Sequence, residues 1–218
     1  MNLMRALKYP LNDSGWFLKC LIGGGLLITC IGAPCTVGYM LRAARNAARN
    51  QPLPDWGDFG ALWVEGFQVG LMQLGYALPG ILIMMISAFM STGLVSVSDG
   101  SGAAAGGSMM LLFGGLGFGG IVALIGGVLA AVAYVLLMRE GASLGDAFAI
   151  GTIQKLLMSN FGPVVLFMVF ALITNIIASV LGNVAFGIGV IITSPYAMMV
   201  TAALYGQLAT IVLPSVYE

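Results

Sequence analysis

The chain reads as an all-α, polytopic transmembrane bundle. It is expected to have four to five spanning helices, a first hairpin that spans or re-enters, and short interfacial helices. Three observations predict this class. Charge is scarce: eight Lys+Arg and eight Asp+Glu make up 7% of 218 residues, and mean hydropathy is +1.03. A soluble domain is about a quarter charged. The charge is also confined, because residues 20–41, 66–98, 100–138 and 156–217 carry none. Each run can supply the ~20 apolar residues needed to cross the hydrocarbon core. Finally, GILIMMISAFM and VVLFMVFALI lack the polar–apolar alternation of barrel strands. Helices are the other way to satisfy every backbone N–H and C=O in lipid. Residues 1–218 are read as one membrane domain.

Residues 1–19 make an amphipathic start, with Leu3, Leu7 and Leu11 at helical spacing and Arg5 and Lys8 elsewhere. Pro10 is expected to end it, and Trp16 and Phe17 suit the membrane interface. Residues 20–41 are the first membrane segment, in which glycines 23–25 and Pro34 would permit a turn near Cys30–Pro34. Residues 42–65 form a corner, and 66–96 span with a kink expected at Pro79. A loop is expected over 96–108, a span over 109–138, an interfacial helix over 139–160 and a span over 161–181. Gly182 and Asn183 are expected to turn the chain into a last span over 184–213, broken near Pro195.

Two corners look alike. Asp55-Trp56-Gly57-Asp58 precedes FGALW, and Ser143-Leu144-Gly145-Asp146 precedes AFAIG. Each offers an N-cap type residue and then Asp at the third helical position, where carboxylates suit a helix start. Each also follows a membrane segment ending in Tyr and then Arg: Tyr39 and Arg42, Tyr134 and Arg139. This predicts a degenerate repeat that pairs 20–41 with the spanning segment 109–138, and so argues for full crossing.

Charge placement argues the other way. Full crossing would put Arg5, Lys8 and Lys19 on one face and Arg42, Arg45, Arg49, Arg139 and Lys155 on the other. Re-entry would put all eight basic residues on one face and leave Asp99 alone outside, which satisfies the positive-inside rule better. Re-entry is the favoured reading. Either way, loops 42–65 and 139–160 share a face, taken as cytoplasmic.

Arg42, Arg45 and Arg49 fall on one helix face. They are read as an orientation anchor paired with Asp55, Asp58 and Glu65, or else as a contact for lipid phosphates. Tyr39, Pro54, Trp56, Asp58, Ser143 and Asp146 mark the two corners. Trp56, Phe59 and Trp63 form either an aromatic belt or a docking surface. Gly66 and Gly70, and Gly115, Gly119 and Gly126, make helix-packing or oligomer faces. Gln68, Gln73, Thr174, Asn175, Ser179 and Thr201 are expected to hydrogen-bond between helices. A midplane cavity lined by Gln68, Gln73 or Asn175 would signal transport.

Much chemistry is excluded. The centres of the membrane segments hold no ionisable side chain, which argues against proton relays and charge-coupled pumps. The chain has no histidine, the commonest general base. Cys20, Cys30 and Cys35 suit small apolar positions better than a disulfide framework. No metal set, catalytic pair or phosphate loop is visible, and no cofactor is expected. Zero net charge points away from a nucleic-acid partner. No cleavable leader is expected, because no small-residue site follows the first apolar run.

YPLNDSGWFLKCLIGGG and GYMLRAARNAARNQPLPDWGDFGALWVEGF resemble the family catalogued as domain of unknown function 4013. The resemblance rests on Tyr9-Pro10, Trp16, Gly38-Tyr39, Arg42, Leu53-Pro54, Trp56, Asp58 and Gly66. It covers about residues 1–80 and is compatible with the apolar remainder. It implies a bacterial or archaeal inner-membrane protein with four to six membrane helices, and it brings no activity, substrate or catalytic residue. From the residues themselves, the expected function is non-enzymatic assembly as a scaffold, accessory or membrane-organising subunit. The expected partners are the bilayer, a second copy or another membrane protein. The alternative is a transporter or channel for a neutral or lipid-like solute, suggested by interrupted segments and the repeat. The expected location is a prokaryotic plasma membrane.

Overall fold

The computed structural model describes residues 1–29, 31–97, 102–184 and 189–217. The expectations for Cys30 and Asp99 lie outside them. The described regular structure is helical: α1 (Leu3–Leu11), α2 (Trp16–Ile28), α3 (Ala33–Ala48), α4 (Phe59–Val97), α5 (Gly102–Leu137), α6 (Leu144–Ala147), α7 (Ile150–Ser159), α8 (Phe161–Val184), α9 (Val190–Val212) and α10 (Pro214–Tyr217). Four helical stretches are long and apolar enough to cross a membrane: Phe59–Leu94, Gly106–Leu137, Phe161–Val184 and Val190–Val212. The chain is a multi-pass helical membrane protein.

The chain packs as two compact units, Met1–Leu71 with Ala131–Glu218, and Met72–Ala130. In the first unit α9 is the central post, packed by α1, α2, α3 and α8. Small residues let it be surrounded: Ala197, Ala202, Ala203, Gly206 and Ala209 are all buried. α1 and α2 run antiparallel along it. The Asn2 amide donates to Gln207 Oε1 (2.6 Å), the Tyr196 hydroxyl donates to Leu7 O (2.8 Å), and Cys20 faces Met199.

Pro195 explains the glycines of α2. Proline has no N–H, so the carbonyl four residues earlier, at Ile191, loses its helical partner. Gly24 lies against that oxygen: a Cβ built on Gly24 would stand 2.0 Å from Ile191 O, and one on Gly23 would stand 3.3 Å from the Pro195 ring. The glycine Cα–H groups thus face the exposed carbonyl, a weak contact that recurs at close helix crossings. Glycines 23–25 are therefore interior to a helix and make no turn. The turn comes after α2, with Ile31 and Gly32, and Thr29 Oγ1 accepts the Gly32 N–H (3.2 Å). α3 then returns until Ala44 and Ala48 meet Gly206. The first membrane segment is a helix–turn–helix, whereas 109–138 lies within the single helix α5 but for Met138, just past its end. The two halves of the expected repeat are built differently.

Other boundaries differ from expectation for local reasons. α1 continues through Pro10 and ends at Leu11. Pro10 forfeits one helical bond, to the carbonyl of Ala6 four residues back, and the helix ends one residue later. α9 is continuous through Pro195, because Gly24 covers the freed carbonyl. Gly182 and Asn183 remain in α8, with Gly182 packed against Val190 and Thr193. α5 begins at Gly102, so much of the polar stretch expected as a loop is helix.

The second unit is formed by the C-terminal part of α4, from Met72, and most of α5. Its inner seam is glycine. Cβ atoms built on Gly126, Gly119 and Gly115 would strike Tyr76 O, Met84 Cγ and Ser87 Oγ at 2.1, 2.5 and 1.9 Å. The face predicted for packing or oligomerisation is thus used inside the chain. Gly66 packs within the first unit against Pro34 O, and Gly70 has nothing within 4 Å. Outward, this unit presents Phe89, Met110 and Phe113, each at least 67% exposed.

Candidate functional site

The polar side chains of the first unit gather around α3 and the segment that follows it. Lys19 is one hub. Its ammonium reaches Asp13 Oδ2 (2.8 Å), Asp55 Oδ1 (3.0 Å) and Leu53 O (3.3 Å), which uses all three of its donors. The Lys19 and Asp13 side chains are each 13% exposed, while Asp55 is open. Partial burial alone would raise the Asp13 carboxyl, but the Lys19 hydrogen bond, the Gly15 amide and the Lys19 charge outweigh it and hold the group below the usual carboxylate range. Partial burial likewise lowers Lys19, and its bonds to Asp13 and Asp55 overcome this and raise it.

Trp56 closes the corner. Its ring stacks on Tyr39 at 4.1 Å between centroids, and its Nε1–H donates to Lys19 O (3.1 Å). The Tyr39 hydroxyl donates to Pro54 O (2.9 Å). Asp58 Oδ1 accepts the Ala61 N–H (3.3 Å), so Asp58 caps the start of α4. Asp55 therefore does not cap a helix, as the repeat had suggested; it neutralises Lys19. At the second corner the Asp146 carboxylate accepts from the Ser143 N–H (2.8 Å) and hydroxyl (2.9 Å). These bonds hold it below the usual range, as a capping box does.

The three arginines have internal partners. Arg42 grips Glu65 through Nη2 (2.9 Å) and Nε (3.2 Å), and Arg45 Nη1 reaches the same carboxylate at 3.4 Å. Arg45 also donates to Leu137 O (2.9 Å) and Met138 O (3.2 Å), two carbonyls left unpaired where α5 ends. A cation there also suits the helix dipole. Arg49 binds Glu140 Oε1 (2.6 Å), and its hydrogen bond and charge lower that carboxyl. Glu65 is thus a partner as expected, whereas Asp55 and Asp58 are engaged elsewhere. Sequence reasoning missed Asp13, Glu140 and the α5 carbonyls, and the Arg49–Glu140 pair gave no local signal.

Among the described residues, several polar groups in the spans bond within their own helices. Thr174, Asn175 and Thr201 donate to the carbonyls four residues back in their own helices, each at 2.8 Å, the intrahelical alternative open to short polar side chains. Asn175 and Gln73 lie on exposed surface and Gln68 is half-buried. The ion clusters are internally neutralised, so their chemistry is that of a clamp between elements.

A family model described as protein of unknown function (DUF4013) matches residues 21–187. No curated protein and no solved structure matches the chain.

Proposed function

The chain belongs to the DUF4013 family, and from that premise we propose that it acts by assembly in the membrane, as a non-enzymatic scaffold or accessory subunit that binds a second copy of itself. The observation that carries this reading is Asn175. It lies in α8 (24 residues) on exposed surface, among Leu172, Ile176 and Ile177, which are 52–61% exposed. Its Nδ2 bonds Ala171 O, while its carbonyl oxygen accepts no hydrogen bond among the described residues. An amide oxygen facing lipid is costly, and a donor from a neighbouring helix relieves the cost by about 0.6–2 kcal/mol. Gln73 presents a second exposed amide on α4. The outward placement of Asn175 and Gln73 supports assembly over transport.

Arg49–Glu140 supports a shared face for loops 42–65 and 139–160, which we take as cytoplasmic by charge. The test is an Asn175→Cys crosslink in native membranes, with sizing of Asn175→Leu in mild detergent. A disulfide-linked dimer, and a shift of the wild-type oligomer to monomer in Asn175→Leu, are expected. A wild type that is monomeric in detergent, with no crosslink in Asn175→Cys, would overturn the proposal. Flux of a neutral solute through reconstituted monomers would favour the alternative.

A further inference from the structure

The predicted arginine face is occupied, whereas Arg5, like Lys8, Arg139 and Lys155, has no ion-pair partner among the described residues. Arg5 of α1 has no carboxylate within 4.0 Å among the described residues, and its Nη2 donates to Asn50 Oδ1. A guanidinium has five donors, so most of its capacity remains open. Arg5 lines an open cavity of about 310 Å³ together with Asn12, Asn50, Gln51 and Gln207. Tyr9 and Asp13 also border it. The Tyr9 hydroxyl is committed to Ala43 O (3.2 Å) and the Asp13 carboxylate to Lys19 (2.8 Å). Among the lining groups Arg5 is the cation and Asp13 the carboxylate, and Asp13 is held by Lys19, which Asp55 also shares.

The cavity wall is built from three places in the sequence: α1, the chain after α3, and α9. Two hydrogen bonds between Asn2 and Gln207 (2.6 and 3.1 Å) fix α1 to α9 at this point. The Arg5–Asn50 bond ties α1 to the chain after α3. The unused guanidinium N–H groups suit a tetrahedral oxyanion, and the volume falls within the range of small-molecule sites. We propose that this pocket binds a phosphate group, carried on a lipid headgroup or free in solution. The opposite face of α1 is compatible with a lipid: Leu3 and Leu7 line an apolar groove with Ile173, Ile177 and Leu181 of α8.

The experiment uses the full chain, purified in detergent and delipidated. Short-chain phosphatidylglycerol and the matching diacylglycerol are titrated and followed by native mass spectrometry, and inorganic phosphate is titrated by calorimetry. At least one phosphate-bearing probe is expected to bind, with diacylglycerol binding far more weakly than phosphatidylglycerol. Arg5→Gln should weaken phosphate binding at least tenfold, and Arg49→Gln should leave it unchanged. Asn12→Asp, an exposed substitution that adds opposing charge without removing Arg5, should give the same loss if Arg5→Gln folds poorly. Loss confined to the lipid identifies a headgroup site, while parallel loss for inorganic phosphate identifies a soluble ligand. Failure of both phosphate probes to bind, equal binding by wild type and variants, or equal binding of diacylglycerol and phosphatidylglycerol would overturn the proposal.

Discussion

Asp13 shows how one residue holds the corner together. Its carboxylate accepts from Lys19 at 2.8 Å and from the Gly15 amide at 2.8 Å, so Asp13→Asn removes a charge from a mostly buried pair. Asp55 continues to serve Lys19, which limits the loss to about 1–3 kcal/mol, or a Tm lower by roughly 3–8 °C. The pH dependence has a definite sign. Because the folded carboxyl titrates below its unfolded value of about 3.9, its contribution is present above that pH. The contribution then disappears as pH falls through the lower, folded value. The gap in Tm between wild type and Asp13→Asn should therefore be flat from about pH 5 to 7 and close in acid. A gap that persists unchanged at pH 3 would contradict the assignment. On the alkaline side the raised Lys19 contributes fully below the ordinary ammonium value and loses that contribution as pH rises through its higher, folded value.

At the scale of elements, adjacent glycines do unlike work. Gly24 rests on Ile191 O, whereas Gly25 has nothing within 4 Å. Gly24→Ala must push α2 off α9 and should lower Tm by more than about 5 °C, since overpacking a close contact costs roughly 1–3 kcal/mol or more. Gly25→Ala meets open space and gains helix propensity of up to about 1 kcal/mol. Differential scanning fluorimetry of the two variants checks this, and equal Tm values would show that the contact does not hold the hairpin. Such contrasts mark the limit of what was legible. Helix existence and the four spans follow from apolar runs, and the Ser143–Asp146 cap follows from local spacing. That Gly23 and Gly24 are buried but Gly25 is not, and that Pro195 is the reason, depends on α2 and α9 meeting across more than 160 residues of chain. The same is true of Lys19 with Asp55 and of Arg49 with Glu140. These pairs join distant segments, and neither partner carries a motif.

For the molecule as a whole, the outcome at stake is how often the chain crosses. In the first unit Asn2 meets Gln207, and Ala48 meets Gly206, so α1–α2 and α3 leave from and return to the same end of α9. Arg49 joins Glu140 after α5, and the Tyr217 hydroxyl donates to Met138 O (3.4 Å). The start of the chain, both corners and the described C-terminal residue therefore gather at one end of that unit. If that end is the cytoplasmic face, the first segment enters and returns, and the four long helices supply the crossings. The Arg5–Asn50 bond brings the chain around Asn12 and the chain around Asn50 to one cavity, so single cysteines at those two positions should be labelled from the same side. In a cysteine-free background, inverted and right-side-out vesicles treated with an impermeant maleimide should label Asn12→Cys and Asn50→Cys together, in the inverted preparation alone. Labelling of the two from opposite sides would require the first segment to cross fully, and would break the positive-inside arrangement that places all eight basic residues on one face.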